Sequence, residues 1–262
     1  MKRNTTCMLL ALATVVLLLS AGCTQTGKEG ASPTPSARTY IVGIDGQYPP
    51  FSIVDSSGNA AGFDVDSMKW IAGKKGLDVK FQPIAWDGII PALQAKKIDL
   101  IYSGMTITDE RSEKVAFSNP YWVVNQDVVA RKGSGVTLDD VLAGKVILGT
   151  QRGCTAAIWI EENVIAKGLM PQEKLKLYDN TPLAVNDLEI GRIDAVMYDD
   201  LSLKDMIEGK NIERIGAVET KEEFGIAVRK DDTALLATLN EGIAELMNDP
   251  YWDELIKKHN MA

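Results

Sequence analysis

Short apolar runs alternate along the chain with longer stretches in which apolar residues return every three to four positions. The first run, Tyr40-Ile41-Val42-Gly43-Ile44, predicts a strand. Asp45-Gly46-Gln47-Tyr48-Pro49-Pro50 predicts a turn, because prolines fix the backbone there. Phe51 to Val54 predicts a second strand, closed by Asp55-Ser56-Ser57-Gly58. From Asp64 to Lys75, the side chains of Val65, Met68, Ile71 and Ala72 share one helical face, and Gly76 is the stop. Val79 to Ile84 predicts a strand. Asp87 is placed to cap a helix running through Ile90 and Leu93, in which Pro91 is tolerated only because it falls in the first turn. Ile98 to Tyr102 reads as a short buried strand. This β-α-β-α-β order implies an open α/β sheet, and such sheets bind ligands beyond the C-terminal ends of their strands.

A second cycle follows. Asp127 to Ala130 predicts a strand, Thr137-Leu138-Asp139-Asp140 a short helix, Lys145 to Leu148 a strand and Gly149 to Gly153 a loop. A helix from about Cys154 has Ile158, Ile160 and Val164 as its apolar positions. Leu175 to Tyr178 predicts a strand, Thr181 to Ile190 a helix stopped by Gly191, and Ala195 to Tyr198 a strand with Asp199 and Asp200 at its end. Phe224 to Val228 predicts one more strand. Two helices, Ala234 to Met247 and Tyr251 to His259, are separated by Asn248-Asp249-Pro250. The pattern gives two α/β units of similar build without a recognisable sequence repeat.

The N-terminus differs from all of this. A basic start, Met1-Lys2-Arg3, precedes an apolar run from Met8 to Leu19 that is short for a membrane span, then Ser20-Ala21-Gly22-Cys23. Residues 1–22 form a signal-peptide pattern. It resembles a lipoprotein signal, in which Cys23 becomes the lipidated first residue, although Ser20 stands where that signal usually has Leu. An uncleaved anchor is the alternative, and both place the remainder outside the cytoplasmic membrane. Thr24 to Arg38 is rich in Ser, Thr, Pro and Gly, which predicts a flexible tether over 23–37.

The whole chain carries a net charge of −8, which disfavours nucleic-acid binding because a backbone-tracking surface needs a basic stripe. Its 3 cysteines, Cys7, Cys23 and Cys154, suggest neither a disulfide framework nor a metal site. The single histidine, His259, lies in the C-terminal tail, which argues against a Ser-His-Asp or Cys-His catalytic set. No cofactor is implied.

Three stretches carry candidate chemistry. Ser103-Gly104-Met105-Thr106-Ile107-Thr108-Asp109-Glu110-Arg111 leaves a strand through a glycine and enters a helix that Thr108 can cap. It gathers hydroxyls, free backbone N–H groups and one guanidinium, a combination suited to a carboxylate. The plainer alternative is a capped helix with a surface Arg. Gln151-Arg152-Gly153-Cys154-Thr155 is a second polar loop feeding a helix. Asp199 at a strand end could receive an ammonium, or could simply cap the helix that follows. A zwitterion held between Arg111 and Asp199 satisfies both charges and lowers the cost of burying them.

Eight motifs, in order, resemble those of family 3 extracellular solute-binding proteins, the amino-acid receptors of ABC importers. They are Asp45-x-x-Tyr48-x-Pro50-Phe51, Gly62-Phe63-Asp64-Val65-Asp66, Trp86-Asp87-Gly88-Ile89-Ile90-Pro91-Ala92-Leu93, and Gly104-Met105-Thr106-Ile107-Thr108-x-x-Arg111. Phe117-Ser118-x-Pro120-Tyr121, Gln151-Arg152-Gly153-x-Thr155, Gly191-Arg192-Ile193-Asp194-Ala195-Val196 and Gly225-Ile226-Ala227-Val228 complete the series. The resemblance covers Thr39 to His259.

It implies a two-lobed clamp of the type II periplasmic-binding-protein fold, each lobe an open α/β sheet. Lobe 1 is expected over 38–124 plus 224–262 and lobe 2 over 125–223, with hinge segments near Asn125–Ala130 and Glu223–Val228. It also implies residue roles. Arg111 and the Thr155 loop hold the α-carboxylate. Asp199, the Gly104 carbonyl and the Thr106 hydroxyl take the α-ammonium. Asp45, Tyr48, Trp86, Ser103 and Gln151 line the side-chain pocket. The implied partners are a free amino acid, the permease of an importer and, through the lipid anchor, a membrane, with the receptor itself monomeric. Cys154 stands where the family often has Thr, and it is expected to be a packed, structural thiol. Two aromatics beside Asp45 suit a cationic side chain, which favours arginine or lysine, with glutamine next. Two alternatives remain on the same fold: a cyclohexadienyl dehydratase-like enzyme using Asp45 and Asp199 as acid and base, and a ligand-sensing receptor subunit.

Overall fold

A computed structural model describes residues 38–262. The predicted leader, the lipidation site Cys23 and the tether over 23–37 lie outside those residues. The first part of the chain forms β1 (Thr39–Ile44), β2 (Gln47–Tyr48), β3 (Ser52–Val54), β4 (Ala60–Ala61), α1 (Phe63–Lys75), β5 (Asp78–Pro83), α2 (Trp86–Gln94), β6 (Leu100–Ile101), α3 (Asp109–Lys114) and β7 (Ala116–Phe117). Next come β8 (Trp122–Arg131), α4 (Leu138–Leu142), β9 (Leu148–Gln151) and α5 (Thr155–Ile160), whose last turn widens into π-helix over Glu161–Ile165. A 3-10 turn at Gln172–Lys174 leads into β10 (Leu175–Tyr178), α6 (Thr181–Glu189), β11 (Ala195–Asp199), α7 (Asp200–Ile207) and β12 (Ile212–Phe224). The chain closes with β13 (Ala227–Val228), α8 (Thr233–Met247) and α9 (Tyr251–Lys258).

Two five-stranded sheets result, ordered β5-β1-β6-β13-β7 and β10-β9-β11-β8-β12. In the first, β1 runs parallel to both β5 and β6; in the second, β9 runs parallel to both β10 and β11. Parallel neighbours require crossover connections, supplied here by α1 and α2 and by α5 and α6. Strand order therefore reverses at β1 and again at β9. Each reversal opens a crevice beyond the C-terminal strand ends, and Asp45 follows β1 while Gln151 ends β9.

The last segment returns to the first sheet, which periodicity alone does not reveal. β13 pairs antiparallel with both β6 and β7. In α8, a Cβ at Gly242 would fall 2.5 Å from Ile71 of α1, so only glycine allows these helices to approach so closely. α9 is fastened to α1 by Lys258 and His259, each 2.8 Å from Asp66. α1 ends at Gly76 in a left-handed cap, as its sequence predicts.

Several boundaries differ from expectation. The predicted loop over Gly149–Gly153 begins as strand, because Thr150 and Gln151 are polar yet buried in the middle of a sheet. The Thr150 hydroxyl donates to the Met197 carbonyl at 2.8 Å, which offsets the cost of that burial. α2 starts at Trp86 with Ala85 in the cap position, so Asp87 lies in the first turn rather than capping it. β8 is longer than expected. β12 has no counterpart in the apolar pattern, since it is an edge strand whose one strand partner is β8, apart from a bridge from Phe224 to Thr106, and its outward positions are charged.

Candidate functional site

The C-terminal strand ends of the two sheets face each other. On the first side, the turn after β6 is held by Asp64 of α1. Its Oδ2 accepts from the Gly104 N–H at 2.7 Å and from the Tyr121 hydroxyl at 3.0 Å. Burial outweighs these bonds and pushes the Asp64 carboxyl up to about 8. Gly104 has φ +50°, and a Cβ there would lie 2.4 Å from the Tyr48 ring. Thr108 caps α3 by accepting from the Arg111 N–H at 3.2 Å, as its position predicts.

That cap swings the Arg111 side chain inward, where it is 6% exposed. Nη1 donates to the Thr106 carbonyl at 2.9 Å and Nη2 to the Gly153 carbonyl of the facing loop at 3.1 Å. The guanidinium carbon lies 5.4 Å from the Trp86 ring centre, and Trp86 Nε1 donates to the same Gly153 carbonyl at 3.1 Å. Among the described residues no carboxylate forms an ion pair with Arg111. Burial lowers its pKa, while nearby negative groups, Asp199 and Glu222 among them, act in the opposite direction. The surface-Arg alternative is thereby excluded: this is a buried cation satisfied only by backbone carbonyls.

On the second side, Asp199 ends β11. It occupies the position before α7, yet its side chain makes no capping bond; the Leu201 N–H donates instead to Asp200 Oδ1 at 2.7 Å. The helix-cap alternative for Asp199 therefore fails. Its Oδ2 accepts from the Tyr48 hydroxyl and its Oδ1 from Gln126 Nε2, both at 2.5 Å. Burial, followed by the charge of Glu222, pushes the Asp199 carboxyl up to about 7.

The pair beside it is Asp45 and Gln151. Gln151 Nε2 donates to Asp45 Oδ2 at 2.8 Å and Gln151 Oε1 accepts from the Tyr198 hydroxyl at 2.5 Å. Burial raises the Asp45 pKa against the bonds from Gln151 and from the Gln47 N–H. Ser103 supports this corner: its hydroxyl accepts from the Asp45 N–H at 2.9 Å and lies 2.7 Å from the Ser52 hydroxyl. Tyr48 stacks on Phe51 with ring centres 5.0 Å apart, so one of its faces is committed to the core.

A small gap, about 10 Å³ in volume, lies between the two sides at Arg111 and Asp199. Every residue singled out from sequence lines it except Asp45 and Gln151, which bridge the lobes next to it. Cys154 also reaches the gap. It is buried, its thiol is pushed up to about 11 by that burial, and it lies 3.2 Å from the Thr150 hydroxyl, which is the packed thiol expected. Sequence does not single out Tyr198, which lines the gap, or Gln126 and Glu222, which adjoin it. Tyr198 falls within an apolar run, and Glu222 lies in the charged edge strand, so neither stands out in the pattern. Among the described residues no group of three or more His, Cys, Asp or Glu side chains could hold a metal, and no helix is long and apolar enough to cross a membrane.

Two facing α/β lobes with a buried cation on one side and a buried anion on the other define a cleft-type receptor for small polar solutes. The chain belongs to the bacterial extracellular solute-binding proteins, family 3, whose model matches residues 40–262. It is 34% identical over 224 residues to the L-cystine-binding protein TcyJ of Escherichia coli (strain K12), covering 84% of this chain and 82% of that protein. It is 33% identical over 232 residues to the lysine/arginine/ornithine-binding periplasmic protein of the same strain, covering 84% and 87%. Among solved structures, an ancestral arginine-binding protein bound to arginine superposes with a TM-score of 0.78 at 36% identity, over 84% of this chain and 97% of that one. The family and these relatives are binding proteins, not enzymes, which removes the dehydratase-like alternative.

Proposed function

We propose that this protein captures a free L-amino acid between its lobes and presents it to the permease of an ABC importer. Arg111 takes the α-carboxylate, assisted by the Thr155 loop, and Asp199 takes the α-ammonium together with Thr106 and the Gly104 carbonyl. The observation that carries this is the Arg111 guanidinium: buried, bonded only to carbonyls, and opposite a buried aspartate. A ligand carboxylate offers it a charged partner, and a charge-assisted pair is about twice as strong as a neutral hydrogen bond. Lobe 1 is assigned to 38–124 plus 224–262 and lobe 2 to 125–223. The extended segments near Asn125–Ala130 and Glu223–Val228 serve as hinge, and a lipid on Cys23 as anchor. Opening parts the Tyr48–Asp199 and Asp45–Gln151 pairs to admit the ligand.

The side-chain pocket is formed by Asp45, Gln151, Trp86 and the free edge of Tyr48. A cationic side chain meets Asp45 as its counter-charge and Trp86 as its π-face, so arginine or lysine is preferred and glutamine follows. The relatives that bind arginine, lysine and ornithine support a basic ligand. The cystine-binding relative supports a second reading, in which the distal ammonium of cystine meets Asp45.

Thermal-shift assays with arginine, lysine, glutamine, cystine and glutamate test this. Ligand at 100 times its Kd stabilises the fold by about 2.7 kcal/mol, a readily measured shift. Arginine and lysine should shift the transition most and glutamate not at all; a larger shift with cystine favours the second reading. No shift with any amino acid overturns the proposal. In calorimetry, Trp86→Ala should weaken arginine by roughly 2- to 30-fold, the range of a cation–π contact of about 0.5–2 kcal/mol, and glutamine by less. Equal losses contradict the pocket assignment.

A further inference from the structure

β12 does one thing that a plain connecting strand would not. Its pairing with β8 slips between Val218 and Glu222, leaving residues 219–221 bulged out opposite Asn125. Lys221 adopts φ +52°, a left-handed conformation uncommon for a residue with a side chain, and its N–H is held by Asn125 Oδ1 at 3.1 Å. The result sets the Glu222 carboxylate against Thr106 and Thr155, at the edge of the gap that those two residues line.

There it touches both lobes. Glu222 Oε2 accepts from the Thr106 hydroxyl at 2.9 Å and from the Thr155 hydroxyl, and Oε1 accepts from Gln126 Nε2 at 2.8 Å. The same Gln126 nitrogen donates to Asp199 Oδ1. Two carboxylates thus converge on one amide. The other half of that amide, Gln126 Oε1, is buried without a partner, and Gln126 is fully buried. The corner collects two carboxylates and an unsatisfied acceptor, and such a corner calls for a compact donor with several N–H groups. An ammonium is that donor.

We infer that Glu222 is a specificity-determining residue of the cleft, forming with Asp199 a two-carboxylate receptor for the ligand α-ammonium. This rests on the head-group assignment above and adds to it an acid beside the hinge. It also sets the charge of the cleft. Asp45, Asp199 and Glu222 stand against Arg111 alone, so a ligand with a net positive charge leaves the cleft closer to neutral than a neutral amino acid does. The acid therefore reinforces selection of basic ligands through the head group, independently of the side-chain pocket. The groups facing Asp199 are Glu222, Asp200, Tyr198 and Cys154 on its own side, with Tyr48 and Arg111 across the gap. Removing the Glu222 charge leaves fewer negative groups holding the Asp199 proton on.

Glu222→Gln keeps the shape and removes the charge. Arginine and glutamine affinities, measured by calorimetry, should both fall about tenfold or more, because the ammonium is common to both ligands, and arginine should lose more than glutamine, because the cleft's excess negative charge is reduced. Glu222→Asp should recover part of the loss. Calorimetry near pH 7 in buffers of different ionisation enthalpy should show proton release on binding to the wild type and less release in Glu222→Gln, a difference that a merely structural role would not produce. Affinities that are unchanged or tighter overturn the inference, since Glu222 then only competes for the threonine hydroxyls. A loss confined to arginine also overturns it, placing Glu222 at the side chain. A wild type that binds no amino acid sinks the head-group assignment itself, whereas a binding wild type matched by Glu222→Gln sinks this inference alone.

Discussion

Arg111→Ala is expected to lower the affinity for every amino acid by at least about thirtyfold, because truncating one partner of a buried charge pair costs roughly 2–5 kcal/mol. The size of the effect follows from where the cation sits. Its bonds to the Thr106 and Gly153 carbonyls orient the fork without neutralising it. A ligand carboxylate is the charge that completes the site, and without Arg111 that carboxylate is buried unpaired when the lobes close. Arg111→Lys should rescue little, since an ammonium cannot reproduce the planar, two-pronged contact. Calorimetric titration with arginine, lysine and glutamine checks this, and near wild-type affinity in Arg111→Ala refutes the carboxylate role.

The second large effect is on pH. Asp199 has its pKa raised to about 7, by burial first and then by Glu222. An ammonium beside it favours the ionised carboxyl, so the pKa in the complex is lower than in the free protein. Between those two values the free protein holds a proton that the complex has released. Affinity therefore falls as pH drops below about 7, by up to about tenfold per unit, and is level above it. Asp199→Asn should bind weakly at every pH and lose this slope. Calorimetric titration with arginine from pH 5 to 8.5 reads it out. A level wild-type profile contradicts the ammonium assignment.

Much of this site is legible in the chain because local rules produced it. Thr108 at a cap position and Arg111 three residues on are a short-range geometry, and the structure reproduces it. Gly104 marks a turn where no Cβ fits. The strand-end positions of Asp45, Trp86, Gln151 and Asp199 follow from the alternation of strands and helices, since parallel sheets gather their ligand residues at one edge. For Asp199, sequence left a cap and a receptor equally open, and only the capture of the Leu201 N–H by Asp200 decides between them.

What the sequence hid depends on tertiary context. β12 is charged and has a single strand partner, so it lacks the apolar signature of a strand. The inward turn of Glu222 depends on a pairing slip and a left-handed Lys221, neither of which a side-chain pattern encodes. Gln126 and Gln151 are polar residues buried in sheet interiors, where their bonds to Asp199, Glu222 and Asp45 offset the burial. The return of β13 into the first sheet is a non-local pairing, visible from sequence only through family resemblance.

The most direct test is a crystal structure of the protein saturated with L-arginine. The α-carboxylate is expected in a two-pronged contact with Arg111 at about 2.7–2.9 Å and the α-ammonium on Asp199, with the Tyr48–Asp199 bond lengthened or broken to admit it. A ligand bound with its head group reversed, or lying outside the gap while Arg111 stays on its two carbonyls, contradicts it.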